Sequence, residues 1–127
     1  MTKSPDFAGK PFFLGMKTDN FMDNLQHLIE TNLTNPFLTV DELATMTGNS
    51  RRQFYRNVEK ATGMTPNRYL REVRLDKAKE LLYSGNYQTV KEVALRVGFL
   101  KVSYFSKLYE EREGVKASQV LRNIERD

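Results

Sequence analysis

The pattern of hydrophobic and polar positions divides most of the chain into short amphipathic helices. Apolar residues recur at helical spacing over residues 19–33, 39–47 and 50–60. Thr39 and Glu42 have the spacing of a capping box, and a glycine follows the second and third of these segments. The pattern therefore predicts three helices in the first half of the chain. The apolar positions assigned to them are Phe21, Leu25, Leu28, Ile29, Leu33, Val40, Leu43, Ala44, Met46, Phe54 and Val58.

The longest predicted helix runs from Pro66 to Tyr83 or Ser84. Thr65 can cap it, proline suits the first helical position, and Gly85 suits the left-handed conformation that ends a helix. Its apolar residues fall into two groups that lie about 140° apart around the helix axis. One helix is therefore expected to contribute to two cores. The first group is Tyr69, Leu70 and Val73, and the second is Leu75, Ala78, Leu81 and Leu82.

The segment after this long helix repeats the segment before it. TVKEVALRVG, which begins at Thr89, aligns with TVDELATMTG, which begins at Thr39, at an offset of 50 residues. After the glycine that closes this segment the offset is 51, and Phe105 then matches Phe54. We therefore predict an all-α fold of about seven helices, in which two helix-turn-helix subdomains are joined by a long linker helix. The remaining predicted helices of the second copy cover residues 102–112 and 117–124.

The predicted domain boundaries follow these elements. Residues 1–18 carry two prolines and two glycines without helical or alternating periodicity, and we predict that they form a linker or tail. The predicted helical region, 19–127, comprises a first helix-turn-helix unit (19–63), the linker helix (64–84) and a second unit (85–127).

The composition excludes several classes of protein. The chain has 127 residues, no cysteine and a single histidine, His27, so disulfides, thiolate zinc sites and cysteine nucleophiles are excluded. The sequence contains no P-loop, dinucleotide fingerprint or cluster of metal ligands, and we expect neither enzyme activity nor a cofactor. No apolar run approaches the roughly 18 residues that span a bilayer, and no signal peptide begins the chain. We therefore expect a soluble cytoplasmic protein without membrane contact.

The first copy has the charge expected of a DNA-reading helix. Helix-turn-helix units place the exposed face of their second helix in a major groove, and the net charge of +4 is compatible with such a partner. Arginine suits both guanine edges and phosphates. A solvated cationic face is the alternative, but the repeated helix-turn-helix context favours contact with double-stranded DNA. With Phe54 and Val58 buried, the outward residues are Arg51, Arg52, Tyr55, Arg56 and Glu59.

The second copy is less cationic at the matching positions. Its outward residues are predicted to be Val102, Ser103, Ser106 and Lys107. Its basic residues are balanced by acidic ones, so we expect the first copy to be the main DNA anchor. The second copy either reads a second groove or serves as a packing or partner surface. The balancing residues are Lys101, Lys107 and Arg112 against Glu110, Glu111 and Glu113.

These residues resemble the AraC/XylS-type transcription regulators. RLDKAKELL from Arg74, VKEVALRVGF from Val90 and SYFSKLYE from Ser103 follow the second-half signature of that family, and GMTPNRYLREVRL from Gly63 resembles its middle. The resemblance extends over about residues 19–122 and is closest to versions at the C-termini of hybrid two-component regulators. The chain departs from the family pattern at four positions. They are Ala117, where proline is usual, Val120, where an aromatic residue is usual, and Glu110 and Glu111, where basic residues are usual.

The resemblance implies a sequence-specific DNA-binding regulator that is the output domain of a longer signalling protein. It implies RNA polymerase and an upstream sensor or receiver domain as further partners. A free-standing small regulator is an alternative, and a helical protein-interaction module with weak, non-specific DNA affinity is another. Taken together, the predicted DNA-binding residues are Ser50, Arg51, Arg52, Tyr55, Arg56, Lys101, Ser103, Ser106 and Lys107.

Overall fold

The computed structural model describes residues 19–124, and within this range the chain forms seven α-helices and no strand. The all-α fold predicted from the sequence is therefore confirmed. The predicted tail, residues 1–18, lies outside the described residues. The helices are α1 (Asp19–Thr31), α2 (Val40–Met46), α3 (Arg51–Thr62), α4 (Pro66–Tyr83), α5 (Val90–Arg96), α6 (Val102–Glu113) and α7 (Ala117–Asn123).

Local hydrogen bonds fix the helix ends in the same way in both copies of the repeat. The Thr39 and Thr89 hydroxyls each accept from the backbone N–H of a glutamate three residues later, at 3.1 Å. Those glutamates, Glu42 and Glu92, accept in return from the threonine N–H groups at 2.9 and 3.3 Å. The glycines that end α3 and α6 adopt φ angles of 75° and 77°, which a side chain would disfavour. The repeated sequence therefore has a repeated local structure.

The chain divides into two compact units, and the boundary falls within α4, between Val73 and Arg74. The first unit contains residues 19–32 and 37–73, and the second contains 33–36 and 74–124. Both apolar groups predicted on α4 are buried, apart from Leu81, which is half-buried. The first core includes Leu25, Ile29, Leu43, Phe54, Val58 and Tyr69. The second core includes Leu75, Ala78, Leu82, Val93, Phe105 and Tyr109.

Three details of the first unit differ from the sequence prediction. Met46 is 45% exposed, because it lies about 120° around the short helix α2 from the centre of its apolar face. Met22, which the prediction omitted, is buried. Helix α1 ends at Thr31 rather than Leu33. There the Thr31 hydroxyl donates to the His27 carbonyl at 2.6 Å, and the Asn32 amide donates to Leu28 at 2.8 Å, so side chains satisfy the last carbonyls.

Arg74 is the one buried charged residue among residues 19–124, and the sequence analysis did not identify it. Its Nη1 donates to the carbonyls of Leu33 and Val97, both at 2.6 Å, and its Nη2 donates to the carbonyl of Asn35 at 2.9 Å. Burial lowers the pKa of this guanidinium. Gly98 leaves the necessary space, since a Cβ there would lie 2.6 Å from both the Arg74 Cζ and the Leu33 carbonyl oxygen. Within the second unit, Arg74 thus ties the 33–36 loop to the end of α5.

Candidate nucleic-acid interface

Helix α3 exposes two arginines because its apolar residues hold the opposite face inward. The Ser50 hydroxyl accepts from the Gln53 N–H at 3.1 Å and fixes the start of the helix. Phe54 and Val58 are buried, and Phe54 packs edge-on against Phe21 with the ring centroids 5.9 Å apart. Arg52 and Arg56 are exposed, and neither forms an ion pair with another residue of the 19–124 range. Their guanidinium groups are therefore available to an anionic or guanine-presenting partner.

Arg51 is also exposed, but it is engaged with neighbouring side chains. It forms an ion pair with Asp41, in the first turn of α2, and its Nη2 donates to the Tyr55 hydroxyl at 3.4 Å. Its Cζ lies 5.1 Å from the centroid of the Tyr55 ring, a cation–π distance. Tyr55 is consequently half-buried rather than fully outward as predicted. Because both charged groups are exposed, the ion pair is worth only about 0–1 kcal/mol, and a phosphate could compete with Asp41.

Helix α6 has buried anchor residues at the same positions as α3 but different exposed residues. Phe105 and Tyr109 are fully buried and take the positions of the two apolar anchors of α3. Ser103 and Lys107 are exposed, and Lys101, at the N-cap, is exposed without a side-chain capping bond. The predicted outward face is therefore only partly open. Its half-buried residues are Val102 and Ser106.

Two charged residues at the end of α6 form ion pairs with α4 within the second unit. Arg112 Nη2 lies 3.2 Å from the Asp76 carboxylate, and Glu113 lies 3.0 Å from Lys79 Nζ, both on α4. The side chains of Arg112 and Glu113 are each only 11% exposed, so they contribute little to the outer surface. The two preceding glutamates remain exposed. The acidic character of this end therefore comes from those glutamates alone.

Two exposed apolar residues at the start of α6 were not among the predicted DNA-binding residues. Leu100 is 58% exposed and Tyr104 is 48% exposed. A signal was present in the repeat, because the offset of 51 aligns Tyr104 with Gln53, which a helix with Phe54 buried must expose. Leu100 directly precedes Lys101 and Tyr104 directly follows Ser103, and both neighbours are predicted DNA-binding residues.

Metal-ligand clusters and membrane-spanning helices are absent from the part of the chain that the structure describes. Residues 19–124 contain no group of three or more potential metal ligands, and no helix among them is long and apolar enough to cross a membrane. The chain has two helix-turn-helix units, and α3 of the first unit carries two exposed arginines, Arg52 and Arg56, without an ion-pair partner among residues 19–124. These features define a DNA-binding protein.

Comparison with known proteins identifies the family. Residues 43–123 match the family described as "Helix-turn-helix domain". The HTH-type transcriptional regulator GbdR of Pseudomonas aeruginosa is 39% identical over 88 residues, which are 69% of this chain and 23% of that regulator. The chain belongs to the AraC-type helix-turn-helix family and is a DNA-binding domain of a transcription regulator.

Solved structures support the same assignment. The C-terminal domain of AraT, a response regulator from Geobacillus stearothermophilus, superposes with a TM-score of 0.73 at 25% identity and covers 84% of this chain and 88% of that one. The DNA-binding domain of AdpA, a global transcriptional factor solved in complex with a target DNA, superposes with a TM-score of 0.71 at 26% identity. That match covers 80% of this chain and 89% of the AdpA domain.

Proposed function

We propose that this chain binds duplex DNA sequence-specifically, with α3 as its main anchor and α6 in a second major-groove half-site. The observation that carries the proposal is the pair Arg52 and Arg56, which are exposed on one face of α3 and unpaired within residues 19–124. Arginine forks bind guanine O6 and N7 or clamp phosphates. Ser50, Arg51 and Tyr55 extend this surface in the first unit. In the second unit the contributing residues are Lys101, Ser103, Ser106 and Lys107.

We further propose that the chain is the output end of a longer signalling protein. It spans only 23% of the length of the regulator described above, and one similar solved domain comes from a response regulator. An upstream sensor or receiver domain would then control when the DNA surface is presented. RNA polymerase is the proposed partner on the bound promoter, the cytoplasm is the proposed location, and no catalytic step is assigned to these residues.

Selection from a random duplex pool, followed by affinity measurements over a range of salt concentrations, tests the proposal. If both units bind, the enriched site has two half-sites about one helical turn apart. The logarithm of affinity then falls against the logarithm of salt concentration with a slope near 5, as expected for about six phosphate contacts. A single half-site with a slope near 3 would limit DNA binding to the first unit. No enrichment at all would overturn the proposal and favour a protein-interaction module.

Arg56→Ala tests the role assigned to α3. If Arg56 reads a base, the variant loses about 1–3 kcal/mol of affinity for the selected site and relaxes the preference at one position. The matched control is Arg122→Ala, which removes an exposed arginine from α7 and should leave the preference intact. Equal losses on selected and random DNA would make Arg56 a phosphate contact instead.

A further inference from the structure

Leu100 and Tyr104 leave an apolar edge uncovered at the start of α6. Leu100 occupies the position before the N-cap, from which an apolar side chain commonly packs onto the fifth residue after it, here Phe105. Phe105 is already enclosed, with ring centroids 5.3 Å from Phe99 and 5.9 Å from Tyr109, and Leu100 remains 58% exposed. Tyr104 touches Phe99 edge-on at 6.2 Å, yet 48% of it is exposed. Packing within the second unit therefore leaves about half of the surface of these two residues uncovered.

The internal repeat shows which surface these residues occupy. At the offset of 51, Tyr104 corresponds to Gln53, which is exposed on the arginine-bearing helix α3. Leu100 is the residue added in the second copy, because the Asn49 and Phe99 N–H groups donate to the matching carbonyls of Ala44 and Ala94. The second copy therefore has one large apolar side chain, Tyr104, in place of a polar one and a second, Leu100, in the added position. At buried positions the repeat keeps the type of residue, as with the pair Phe54 and Phe105.

The charges around the edge favour DNA over an apolar protein partner. Lys101 lies between Leu100 and the start of α6, Lys107 lies one turn beyond Tyr104, and both lysines are exposed. No carboxylate occurs between residues 100 and 107. Lysines that flank an apolar strip can hold phosphates while the strip faces the base edges. In the major groove the apolar feature is the C5 methyl group of thymine.

We propose that Leu100 and Tyr104 make the second half-site selective for thymine by contacting thymine methyl groups. This inference rests on the proposed DNA-binding function. Ser103, between them on the exposed surface, adds a hydroxyl that can donate to or accept from any base and so does not oppose this preference. The first unit would then read its half-site mainly through arginines, and the second through apolar contacts.

Deoxyuridine substitution tests the proposal with a single-methyl change. The full chain is titrated against the duplex selected from a random pool, and each thymine in turn is replaced by deoxyuridine. Burying one methyl group should make affinity about fourfold tighter, so one or two substitutions in the second half-site should each weaken binding about fourfold. The same replacement at thymines outside the half-sites provides the baseline.

Protein variants assign the effect to the apolar edge. Leu100→Asn replaces the apolar side chain by a polar one, and Tyr104→Ser removes the ring; each should abolish the deoxyuridine effect at one position without changing the salt slope. Tyr104→Phe keeps the ring and should preserve the effect, which separates methyl recognition from loss of folding. Tyr83→Ser removes an exposed tyrosine from α4 and is the matched control.

The outcomes separate this inference from the function on which it rests. If no duplex is enriched, both fail. If a bipartite site is enriched but deoxyuridine has no effect in the second half-site, the thymine inference fails and the DNA-binding function stands. A deoxyuridine effect that persists in Leu100→Asn and Tyr104→Ser also overturns the inference. A change of oligomeric state in those variants, with methyl sensitivity intact, would show that the edge binds a second copy instead.

Discussion

Substituting alanine for the two turn glycines, Gly48 and Gly98, should have very different effects on stability. Both glycines close the first helix of a helix-turn-helix unit, and both have positive φ angles, 78° and 91°. A Cβ at Gly48 would meet no atom within 4 Å. A Cβ at Gly98 would overlap Arg74 Nη1 and would lie 2.6 Å from the backbone oxygen of Leu33. The two substitutions therefore share the backbone strain and differ in the collision.

The expected magnitudes follow from this difference. Alanine in a left-handed conformation costs about 1–2 kcal/mol, which is the whole effect expected for Gly48→Ala. Gly98→Ala must also displace the Arg74 guanidinium, whose hydrogen bonds are each worth about 1.5–3 kcal/mol because the donor is charged. Loss of one of them brings the total for Gly98→Ala to about 2.5–5 kcal/mol. Rotating the Arg74 side chain cannot relieve the contact with the Leu33 oxygen, since that atom belongs to the backbone.

Urea unfolding followed by circular dichroism measures both effects. We expect Gly98→Ala to lower the unfolding midpoint of the second unit strongly and Gly48→Ala to lower that of the first unit slightly. Hydrogen exchange, which resolves the two units, distinguishes a local change from a global one. Equal losses for the two variants would refute the argument, because they would mean that Arg74 and Leu33 move aside at negligible cost.

Three further predictions concern single side chains. Arg74→Met should lower the free energy of unfolding by about 3 kcal/mol, because buried carbonyls lose their donor. The control Arg68→Met, on the exposed face of α4, should change it by less than about 0.5 kcal/mol. Comparable losses in the two variants would contradict the buried hydrogen-bond network. Tyr109→Phe should raise stability by about 1 kcal/mol, since the Tyr109 hydroxyl is buried with no hydrogen-bond partner among the described residues. Burial, then Glu113 and Tyr83, raise the pKa of Tyr109 above its ordinary value of 10.0, so the protein should lose stability as the pH rises above that value, where the unfolded chain ionises this tyrosine more readily than the folded chain. The alkaline loss should therefore be smaller in Tyr109→Phe, and identical pH profiles would contradict this. Asp41→Asn should strengthen DNA binding severalfold at low salt by releasing Arg51, while weaker binding would show that Asp41 orients Arg51 toward DNA.

Local chemistry explains why so much of the fold could be predicted from the sequence. Capping threonines, terminal glycines and helical spacing act within a few residues, and the repeat supplied each signal twice. Arg74 escaped prediction because its acceptors lie 41, 39 and 23 residues away along the chain. They are backbone carbonyls, which every residue has, so no residue type in the sequence indicates them. An arginine in a predicted helix is usually solvated, so its burial became visible only once the 33–36 loop and the end of α5 were placed together.

The candidate interface could be predicted as far as it depends on helical geometry, but not where it depends on packing between helices. Buried Phe54 fixes by helical geometry which side of α3 is outward, and Arg52 and Arg56 lie there. The engagement of Arg51 by Asp41 could not be inferred, because it depends on how α2 packs beside α3. Leu100 and Tyr104 were not among the predicted DNA-binding residues. Their exposure depends on Phe99 and Phe105 already filling the space beneath them.

The exposed residues of the two copies differ in the way expected if the two halves of the proposed DNA site are recognised by different chemistry. Their buried positions are matched, as Phe54 and Phe105 illustrate, so both units can hold the second helix of the motif in the same way. Their exposed positions are not matched, since arginine at 52 is replaced by serine at 103 and glutamine at 53 by tyrosine at 104. Charged contacts weaken as salt rises, whereas apolar contacts with methyl groups do not. A bipartite site read in both ways would keep selectivity in its second half under conditions that loosen its first.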